Sequence, residues 1–411
     1  MDTEITLTTL AYGGEAMGRL EDGRAVFVPF GLPGEKTRVR IVEEKRGFVR
    51  AELLEVITPS PQRIAPRCRH FGTCGGCHYQ HMPYEVQLAA KTGILRDQLQ
   101  RIGKIADPPL SPMVPAAQEW NYRNHVQFHM AAGGRLGFVD ARSASVIPID
   151  ECHLPDQAIG ALWPQLSFDE PSALERISLR SSGDDLMLIL ESSDSQIPEL
   201  EIEADVSVIH LDGEDAVVLA GEEHLVLSVD LGDPPQRRSF RISAGSFFQV
   251  NPSIAVKMVE YLLARLPLTP QTVLVDVYCG VGLFSAFFAP RVAQLIGIES
   301  SHAACDDFGA NLDDYDNVRL YEALAEQVLP QIDLHPDVIV VDPPRAGLDR
   351  HALDAVLALA PTTVAYVSCD PSTLARDAAR LIQGGYRLVD ITPFDMFPQT
   401  YHIESISLFE R

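Results

Sequence analysis

The feature that most constrains the fold is a regular alternation of strand and helix signals from about Phe240 onward. Apolar runs at 272–277, 294–298, 337–341 and 363–367 have the length and composition of buried strands, and helical patterns separate them. Such alternation is typical of a doubly wound α/β fold with a parallel sheet. Because ligands of these folds lie beyond the carboxyl ends of the strands, the residues just after each run are the site candidates.

The first two runs are followed by residues suited to a nucleoside-bearing cofactor. The first leads into a turn with Gly280 and Gly282, which let the backbone approach a ligand closely. Glu299 comes at the end of the second, where such folds place an acid against ribose hydroxyls. The turn lacks the full dinucleotide fingerprint and the Lys of a phosphate-binding loop. A cofactor with a ribose but no pyrophosphate fits better, which indicates S-adenosylmethionine.

The last two runs end at Asp342 and at Cys369, so we expect both residues at the same sheet edge. Cys369 stands on a strand-to-helix turn, with a helix signal that begins near Pro371. A thiol there faces the amides and the positive dipole end of the helix, so we expect its pKa to be lowered. This is a suitable place for a nucleophile. A small buried cysteine at a strand end is the structural alternative.

Residues 1–58 alternate short β-rich runs with Gly and Pro turns, which predicts a barrel of four or five strands. Small barrels with basic edges commonly bind oligonucleotides, although a β-module without a ligand is the alternative. The formal net charge is −24, yet 36–50 contains six Lys/Arg against two Asp/Glu. Much of the acidity lies in 170–233, with seventeen Asp/Glu against two Lys/Arg. The net charge therefore does not exclude RNA as a partner.

Three of the seven cysteines, Cys68, Cys74 and Cys77, form a C-x5-C-x2-C cluster. Their thiolates can converge on one metal centre, for which Cys152 is the candidate fourth ligand. Spacing does not distinguish zinc from an iron–sulfur cluster, and a chance grouping of core cysteines is the alternative. An odd cysteine count suits a reducing compartment, and we find neither a signal-peptide pattern nor an apolar run near the length of about 20 residues that spans a bilayer. We expect a cytoplasmic protein without a membrane partner.

The chain is therefore interpreted as an RNA-binding barrel at 1–58, a central domain at 59–240 and a catalytic domain at 241–411. Residues 84–102 have the apolar spacing of an amphipathic helix, which we expect to pack on the catalytic domain. The central domain contains seven short strand signals, at 124–130, 135–139, 176–180, 186–190, 206–210, 216–220 and 223–229.

Five segments resemble, in content, order and spacing, the motifs of the RNA (uracil-5-)-methyltransferase family. They are SFFQVNP at 246–252, DVYCGVGLF at 276–284, DPPRAGLD at 342–349, SCDPSTLARD at 368–377 and QTYHIES at 399–405. The barrel resembles a TRAM domain, and the cysteine cluster resembles that of the family's bacterial 23S ribosomal RNA enzymes. The resemblance implies a Rossmann-like methyltransferase domain that uses S-adenosylmethionine, with 23S ribosomal RNA as the substrate, and we expect a monomer.

The resemblance also implies a mechanism. Cys369 adds to carbon 6 of the target uracil, and the resulting enolate takes the methyl group at carbon 5. Glu404 then removes the carbon 5 proton, and elimination frees Cys369. The target base must leave its stack to reach the thiol. The residues implied in cofactor binding are Gln249, Tyr278, Gly280, Gly282, Glu299 and Asp342. Those implied as ligands of a structural [4Fe-4S] cluster are Cys68, Cys74, Cys77 and Cys152. Arg345 pairs with phosphate or with a motif carboxylate, or forms a structural salt bridge.

Three positions depart from the family pattern. Asp370 replaces a usual Asn and places a negative charge beside the nucleophile. Leu283 replaces an Asn that contacts the cofactor in several members, and Tyr79 replaces a common Trp.

Three other functions remain open. A transfer RNA uracil-5 methyltransferase would use the same chemistry. A nitrogen-directed methyltransferase would need neither Cys369 nor Glu404, and usually has Asn-Pro-Pro-aromatic where this chain has Asp-Pro-Pro-Arg. A noncatalytic RNA-binding iron–sulfur protein would not need the intact Cys369, Glu404 and Glu299.

Overall fold

The N-terminal residues form a closed five-stranded barrel in the computed structural model, which describes residues 2–168, 174–192, 204–213, 215–232 and 236–411. The barrel strands are β1 (Asp2–Leu10), β2 (Glu15–Arg19), β3 (Ala25–Pro29), β4 (Lys36–Glu44) and β5 (Phe48–Thr58). Val26, Val39 and Val49 fill its interior. The predicted barrel is confirmed. The sequence does not predict β2, because Glu-Ala-Met-Gly-Arg contains no β-branched or aromatic residue.

Helix α1 (Tyr84–Arg101) connects the barrel to a central region. The elements of this region are β6 (His125–Ala131), β7 (Arg135–Val139), β8 (Val146–Pro148), α2 (Gln157–Leu162), β9 (Leu174–Ser181), β10 (Leu186–Ser192), β11 (Ser207–Asp212) and β12 (Asp215–Ala220). Its seven strands form a mixed sheet in the order β12-β11-β10-β9-β6-β7-β8. Phe128, Trp163 and Leu188 pack in its core. Part of the acidic stretch 170–233 lies outside the described residues.

The strand predicted at 223–229 does not join the central sheet. It is β13 (His224–Leu231), which pairs with β14 (Gln236–Ser243) as a separate antiparallel ribbon. Leu227, Val229 and Phe240 of this ribbon are buried in the core of the following domain. Its alternating apolar pattern predicts a strand correctly but contains no information about which sheet buries the apolar side.

The C-terminal region contains a seven-stranded sheet with helices on both faces. Its elements are α3 (Pro252–Arg265), β15 (Val273–Val277), α4 (Ser285–Phe288), β16 (Gln294–Glu299), α5 (His302–Asn311), β17 (Val318–Glu322), α6 (Ala325–Val328), β18 (Val338–Val341), α7 (Arg350–Leu359), β19 (Thr363–Ser368), α8 (Pro371–Gln383), β20 (Arg387–Phe394) and β21 (Glu404–Glu410). The strand order is β17-β16-β15-β18-β19-β21-β20. The first five strands in that order are parallel, and β21 is antiparallel to both of its neighbours. The doubly wound α/β fold is confirmed.

Successive side chains of this sheet point to opposite faces and build two cores. Leu274 and Val340 pack in the layer that contains the ribbon. Val275 and Ile339 pack in the layer that contains α1, α7 and α8, and Leu95 of α1 belongs to the same core. Helix α1 thus covers the catalytic sheet and lies against α8, which follows Cys369. Within the described ranges, no helix is both long and apolar enough to cross a membrane.

Candidate active site

The motifs come together around one open cleft of about 1380 Å³ at the carboxyl ends of the parallel strands. Of the eight residues predicted to serve catalysis or cofactor binding, seven line this cleft: Gln249, Tyr278, Gly280, Glu299, Asp342, Cys369 and Glu404. The eighth, Gly282, does not line it. A Cβ on Gly282 would come within 2.5 Å of Leu312, and its φ is +89°, so packing and backbone conformation both require a glycine there.

The turn after β15 and the end of β16 hold each other through Glu299. The amide of Gly280 donates to Glu299 Oε2 at 3.0 Å, and the amides of Ser300 and Ser301 donate to Oε1 at 2.7 and 2.8 Å. Tyr278 takes a left-handed φ of 63°, which turns the chain sharply out of β15. Glu299 is therefore fixed at the cleft by backbone amides.

Cys369 directly follows β19, and Glu404 is the first residue of the neighbouring antiparallel strand β21. Ser368 of β19 pairs with Ser405 of β21, and the same register continued by one residue brings Cys369 opposite Glu404. Glu404 is buried, whereas Cys369 is half-buried and faces the cleft. The register thus brings a thiol and a carboxyl group together at the sheet edge.

The predicted lowering of the Cys369 pKa is wrong. The pKa of Cys369 is raised to about 12, chiefly by burial and then by the carboxyl groups of Glu404 and Asp342, against the opposing charge of Arg345. The amides at the start of α8 are occupied by Asp370, whose Oδ1 accepts from Ser372 at 2.9 Å and from Thr373 at 3.0 Å. The helix terminus therefore stabilises the charge of Asp370 rather than that of the thiol.

The floor of the site is rich in buried carboxyl groups. Burial and neighbouring acids raise the pKa of both Asp276 and Asp342 to about 7. Asp276 accepts a 2.6 Å hydrogen bond from Ser285. Burial and Asp342 raise the pKa of Glu404 well above its ordinary value, against the attraction of Arg345. Such a site favours a positively charged ligand.

The segment that leads into Glu404 is held by groups that sequence reasoning missed. Gln87 of α1 exchanges two hydrogen bonds with Gln399, at 2.9 and 3.0 Å. Lys91, also on α1, is fully buried and lies 2.5 Å from Asp395. The available signal was the four-residue spacing of Gln87 and Lys91, because two polar residues so spaced lie on one helix face.

The four cysteines implied as cluster ligands line a separate cavity of about 290 Å³ and are all free thiols. In the part of the chain that the structure describes, no three His, Cys, Asp or Glu residues are arranged to hold a single metal ion. Arg123 and His402 line both this cavity and the catalytic cleft. The amides of His78 and Tyr79, just after the last cysteine of the C-x5-C-x2-C motif, donate to the Gln399 carbonyl at 2.9 and 3.0 Å. The cysteine-rich loop therefore supports the segment before Glu404.

Two of the departures from the family pattern are buried. Leu283 packs in the core and does not line the cleft, so it supplies no polar contact there. Tyr79 is fully buried, and its hydroxyl group makes no hydrogen bond to any residue that the structure describes.

Comparison with known proteins agrees with this architecture. Residues 205–411 match the tRNA (Uracil-5-)-methyltransferase family, and residues 3–54 match the TRAM domain. A Halalkalibacterium halodurans protein named as an uncharacterized RNA methyltransferase is 33% identical over 99% of this chain and 96% of its own length. A Thermosynechococcus vestitus protein with the same description is 35% identical over 98% and 97%.

A solved structure shares the fold over the whole chain. It is that of Pyrococcus abyssi tRNA (uracil-54, C5)-methyltransferase in complex with S-adenosyl-L-homocysteine, which aligns with a TM-score of 0.73 at 23% identity and covers 100% of both chains. The resemblance found in the motifs is thus confirmed by the family match, the relatives and the fold. This chain belongs to the tRNA (uracil-5-)-methyltransferase family and is an RNA (uracil-5-)-methyltransferase with an N-terminal TRAM domain.

Proposed function

We propose that this enzyme methylates carbon 5 of a specific RNA uridine through a covalent adduct of Cys369, with Glu404 as the general base. The observation that carries the proposal is the pairing of Ser368 with Ser405, which brings the thiol and the carboxyl group together in the cleft. A nitrogen-directed methyltransferase has no use for this pair.

S-adenosylmethionine fits the other half of the cleft. Glu299 has both oxygens anchored by backbone amides and retains lone pairs for ribose hydroxyls. A Cβ built on Gly280 meets nothing within 4 Å, so the turn leaves open space for a ligand. Glu299 ends β16 and Cys369 follows β19, and these two strands are three strand spacings apart in the sheet, a distance of about 14 Å. When bound, the cofactor supplies a methyl group on a cationic sulfur, which the acidic floor favours.

The chemistry needs Cys369 as a thiolate, although its surroundings keep the free thiol protonated at neutral pH. Once the proton of Cys369 has passed to solvent, its sulfur bonds to uracil carbon 6, and the electron pair of the C5=C6 bond forms an enolate. Carbon 5 takes the methyl group. The Glu404 carboxylate then accepts the proton of carbon 5, the double bond re-forms, and the sulfur–carbon 6 bond breaks to release the Cys369 thiolate.

RNA binding is supported by features of the barrel and of the cleft. The barrel is a TRAM domain with basic residues along β4. In the cleft, Phe247 is 64% exposed and offers a face on which a base can stack. Arg345 also lines the cleft, where it is suited to contact a phosphate or the displaced base. The target uridine must be unpaired or flipped to reach Cys369.

For the target we propose 23S ribosomal RNA, because the C-x5-C-x2-C motif resembles that of the ribosomal enzymes. Transfer RNA is the second candidate, since the Pyrococcus abyssi enzyme with the same fold acts on uracil 54 of tRNA. The experiment is a methylation assay with labelled S-adenosylmethionine on unmodified 23S and transfer RNA transcripts, with Cys369→Ala as the control. Label at carbon 5 of a ribosomal uridine supports the proposal, and label only in transfer RNA selects the second candidate. Label that persists in Cys369→Ala rejects the mechanism.

We also propose a [4Fe-4S] cluster at Cys68, Cys74, Cys77 and Cys152. The proposal rests on two observations: the four thiols line one cavity, and the C-x5-C-x2-C motif resembles that of the ribosomal enzymes. A mononuclear zinc site with the same four ligands is the alternative. Broad visible absorption with about four irons per chain after anaerobic purification would support the cluster. A colourless protein with one zinc would exclude it.

A further inference from the structure

A single side chain of the barrel touches both catalytic segments. Tyr12 follows β1, and its Oη donates a 2.9 Å hydrogen bond to Asp370 Oδ2, next to Cys369. Its ring packs edge-on against Tyr401, with centroids 5.7 Å apart. Tyr401 lies against His402, two residues before Glu404. The barrel therefore reaches the turn of the nucleophile and the segment of the base.

The two oxygens of Asp370 have different partners. Oδ1 caps α8 by accepting from Ser372 and Thr373, and Oδ2 accepts from Tyr12. An asparagine has only one acceptor oxygen and would present its amide group to Tyr12 if it kept the cap. An aspartate at position 370 can therefore cap α8 and accept the hydrogen bond of Tyr12 at the same time, whereas an asparagine can do only one of the two.

We infer that Tyr12 is a positioning residue for Cys369 that acts through Asp370, so that the barrel completes the catalytic turn as well as binding RNA. The inference rests on the proposed function in taking Cys369 as the nucleophile. The contact between the barrel and the catalytic domain thereby influences the reactivity of Cys369 in this protein.

The physical basis is the charge beside the thiol. Burial opposes ionisation of Asp370, yet hydrogen bonds from Ser372, Thr373 and Tyr12 hold its pKa below the ordinary value, so it is a carboxylate at neutral pH. The other charged groups that act on Cys369 are Glu404 on β21, and Asp342 and Arg345 after β18. The hydroxyl group of Tyr12 has one hydrogen to donate, and it donates it to Asp370. This hydrogen bond withdraws part of the negative charge that opposes formation of the Cys369 thiolate.

The test replaces Tyr12 by Phe in the full-length protein, which removes only the hydroxyl group. We expect kcat to fall by roughly tenfold, as for loss of a hydrogen bond to a charged group, with the Kd for RNA and the KM for S-adenosylmethionine unchanged. Iodoacetamide labelling of Cys369, followed on its peptide by mass spectrometry, should slow at a given pH, and its pH profile should move to higher pH. The matched control is Tyr386→Phe, which loses a buried 2.9 Å bond to Pro361 outside the cleft and should leave both readouts unchanged.

The same replacement in an Asp370→Asn background distinguishes this role from a general loss of packing. With no charge at position 370, Tyr12→Phe should no longer shift the labelling profile. An unshifted profile in Tyr12→Phe alone, an equal shift in both backgrounds, or the same shift in Tyr386→Phe would overturn the inference. Labelling needs no methyl transfer, so this result is independent of whether Cys369→Ala retains turnover, which tests the proposed function.

Discussion

Ser368 of β19 lies opposite Ser405 of β21 in an antiparallel pair, and this register brings Cys369 next to Glu404 at the edge of the catalytic sheet. A slip of one residue would turn Glu404 to the opposite face of the sheet and separate the two groups. Because β21 also pairs with β20, the register is fixed from both sides. The antiparallel strand inserted into an otherwise parallel sheet therefore brings Glu404, the proposed general base, to the cleft.

Replacement of Cys369 by Ala should abolish methylation while cofactor affinity is retained. The thiol forms the only proposed bond to the substrate, whereas Glu299 and Gly280 are linked to each other and not to Cys369. Turnover assays and calorimetric titration with S-adenosylhomocysteine measure the two properties. Equal loss of affinity and turnover would indicate that the variant disturbs the cofactor half of the cleft.

The charges around Cys369 predict two shifts of opposite sign in its reactivity. Glu404 raises the pKa of the thiol and Arg345 lowers it, so Glu404→Gln should lower that pKa and Arg345→Gln should raise it. At a given pH, iodoacetamide labelling of Cys369 should therefore be faster in Glu404→Gln and slower in Arg345→Gln, measured over roughly pH 7–10. Glu404→Gln should at the same time lose about 100- to 10,000-fold in turnover. Shifts of the same sign would contradict the electrostatic account.

Removal of one partner from the buried pair of Lys91 and Asp395 should strongly destabilise the protein. Lys91→Met leaves the Asp395 carboxylate unpaired in the interior, at an expected cost of about 3–5 kcal/mol in the free energy of unfolding. The midpoint of urea denaturation measures this, and Lys91→Met with Asp395→Leu should recover much of the loss. As a control, Arg101→Gln breaks an exposed pair with Asp97 and should cost less than about 1 kcal/mol. Similar costs for the two single variants would reject the prediction.

Tyr79→Phe should stabilise the protein by about 1 kcal/mol, because the buried hydroxyl group of Tyr79 has no hydrogen-bond partner among the described residues. Tyr366→Phe should have the opposite effect, since its hydroxyl group donates to Asp377 at 2.8 Å. Thermal or urea denaturation compares the two variants. A destabilised Tyr79→Phe would show that this hydroxyl group makes a hydrogen bond in solution, for example to a buried water.

Loss of the proposed [4Fe-4S] cluster should loosen the segment before Glu404. Cys77→Ser removes one proposed ligand directly before the amides of His78 and Tyr79, which hold the Gln399 carbonyl. We expect the iron content to fall and amide exchange to rise in 395–403, as followed by mass spectrometry. Unchanged exchange in a variant that has lost its iron would separate the centre from the catalytic segment.

The sequence predicted the features that local pattern determines. The strands that end near Val277, Glu299, Val341 and Ser368 were placed within a residue or two of their observed ends, because each is a short apolar run with a turn after it. The residues just after those ends were correctly expected at one edge, since parallel strands share a direction.

What the sequence did not predict depends on partners far apart in the chain. Tyr12 and Asp370 are separated by 358 positions and Lys91 and Asp395 by 304, and no local pattern identifies the partner in either contact. The pKa of Cys369 was predicted in the wrong direction because burial and the acidic cleft raise it, and because Asp370 caps the first turn of α8. Burial and the acidity of the cleft depend on residues far apart in the chain, which the pattern of residues around Cys369 does not reveal.

The most direct test of the central claim uses target RNA with 5-fluorouridine at the methylated position. In this RNA a fluorine replaces the hydrogen of carbon 5, and Glu404 cannot remove fluorine as it removes a proton. Elimination is therefore blocked, and the reaction should stop after methyl transfer with the RNA still bonded to Cys369. Digestion and mass spectrometry should then find the methylated fluorouridine on the peptide that contains Cys369, and only when S-adenosylmethionine is present. An adduct on another residue, or complete turnover without an adduct, would contradict the account.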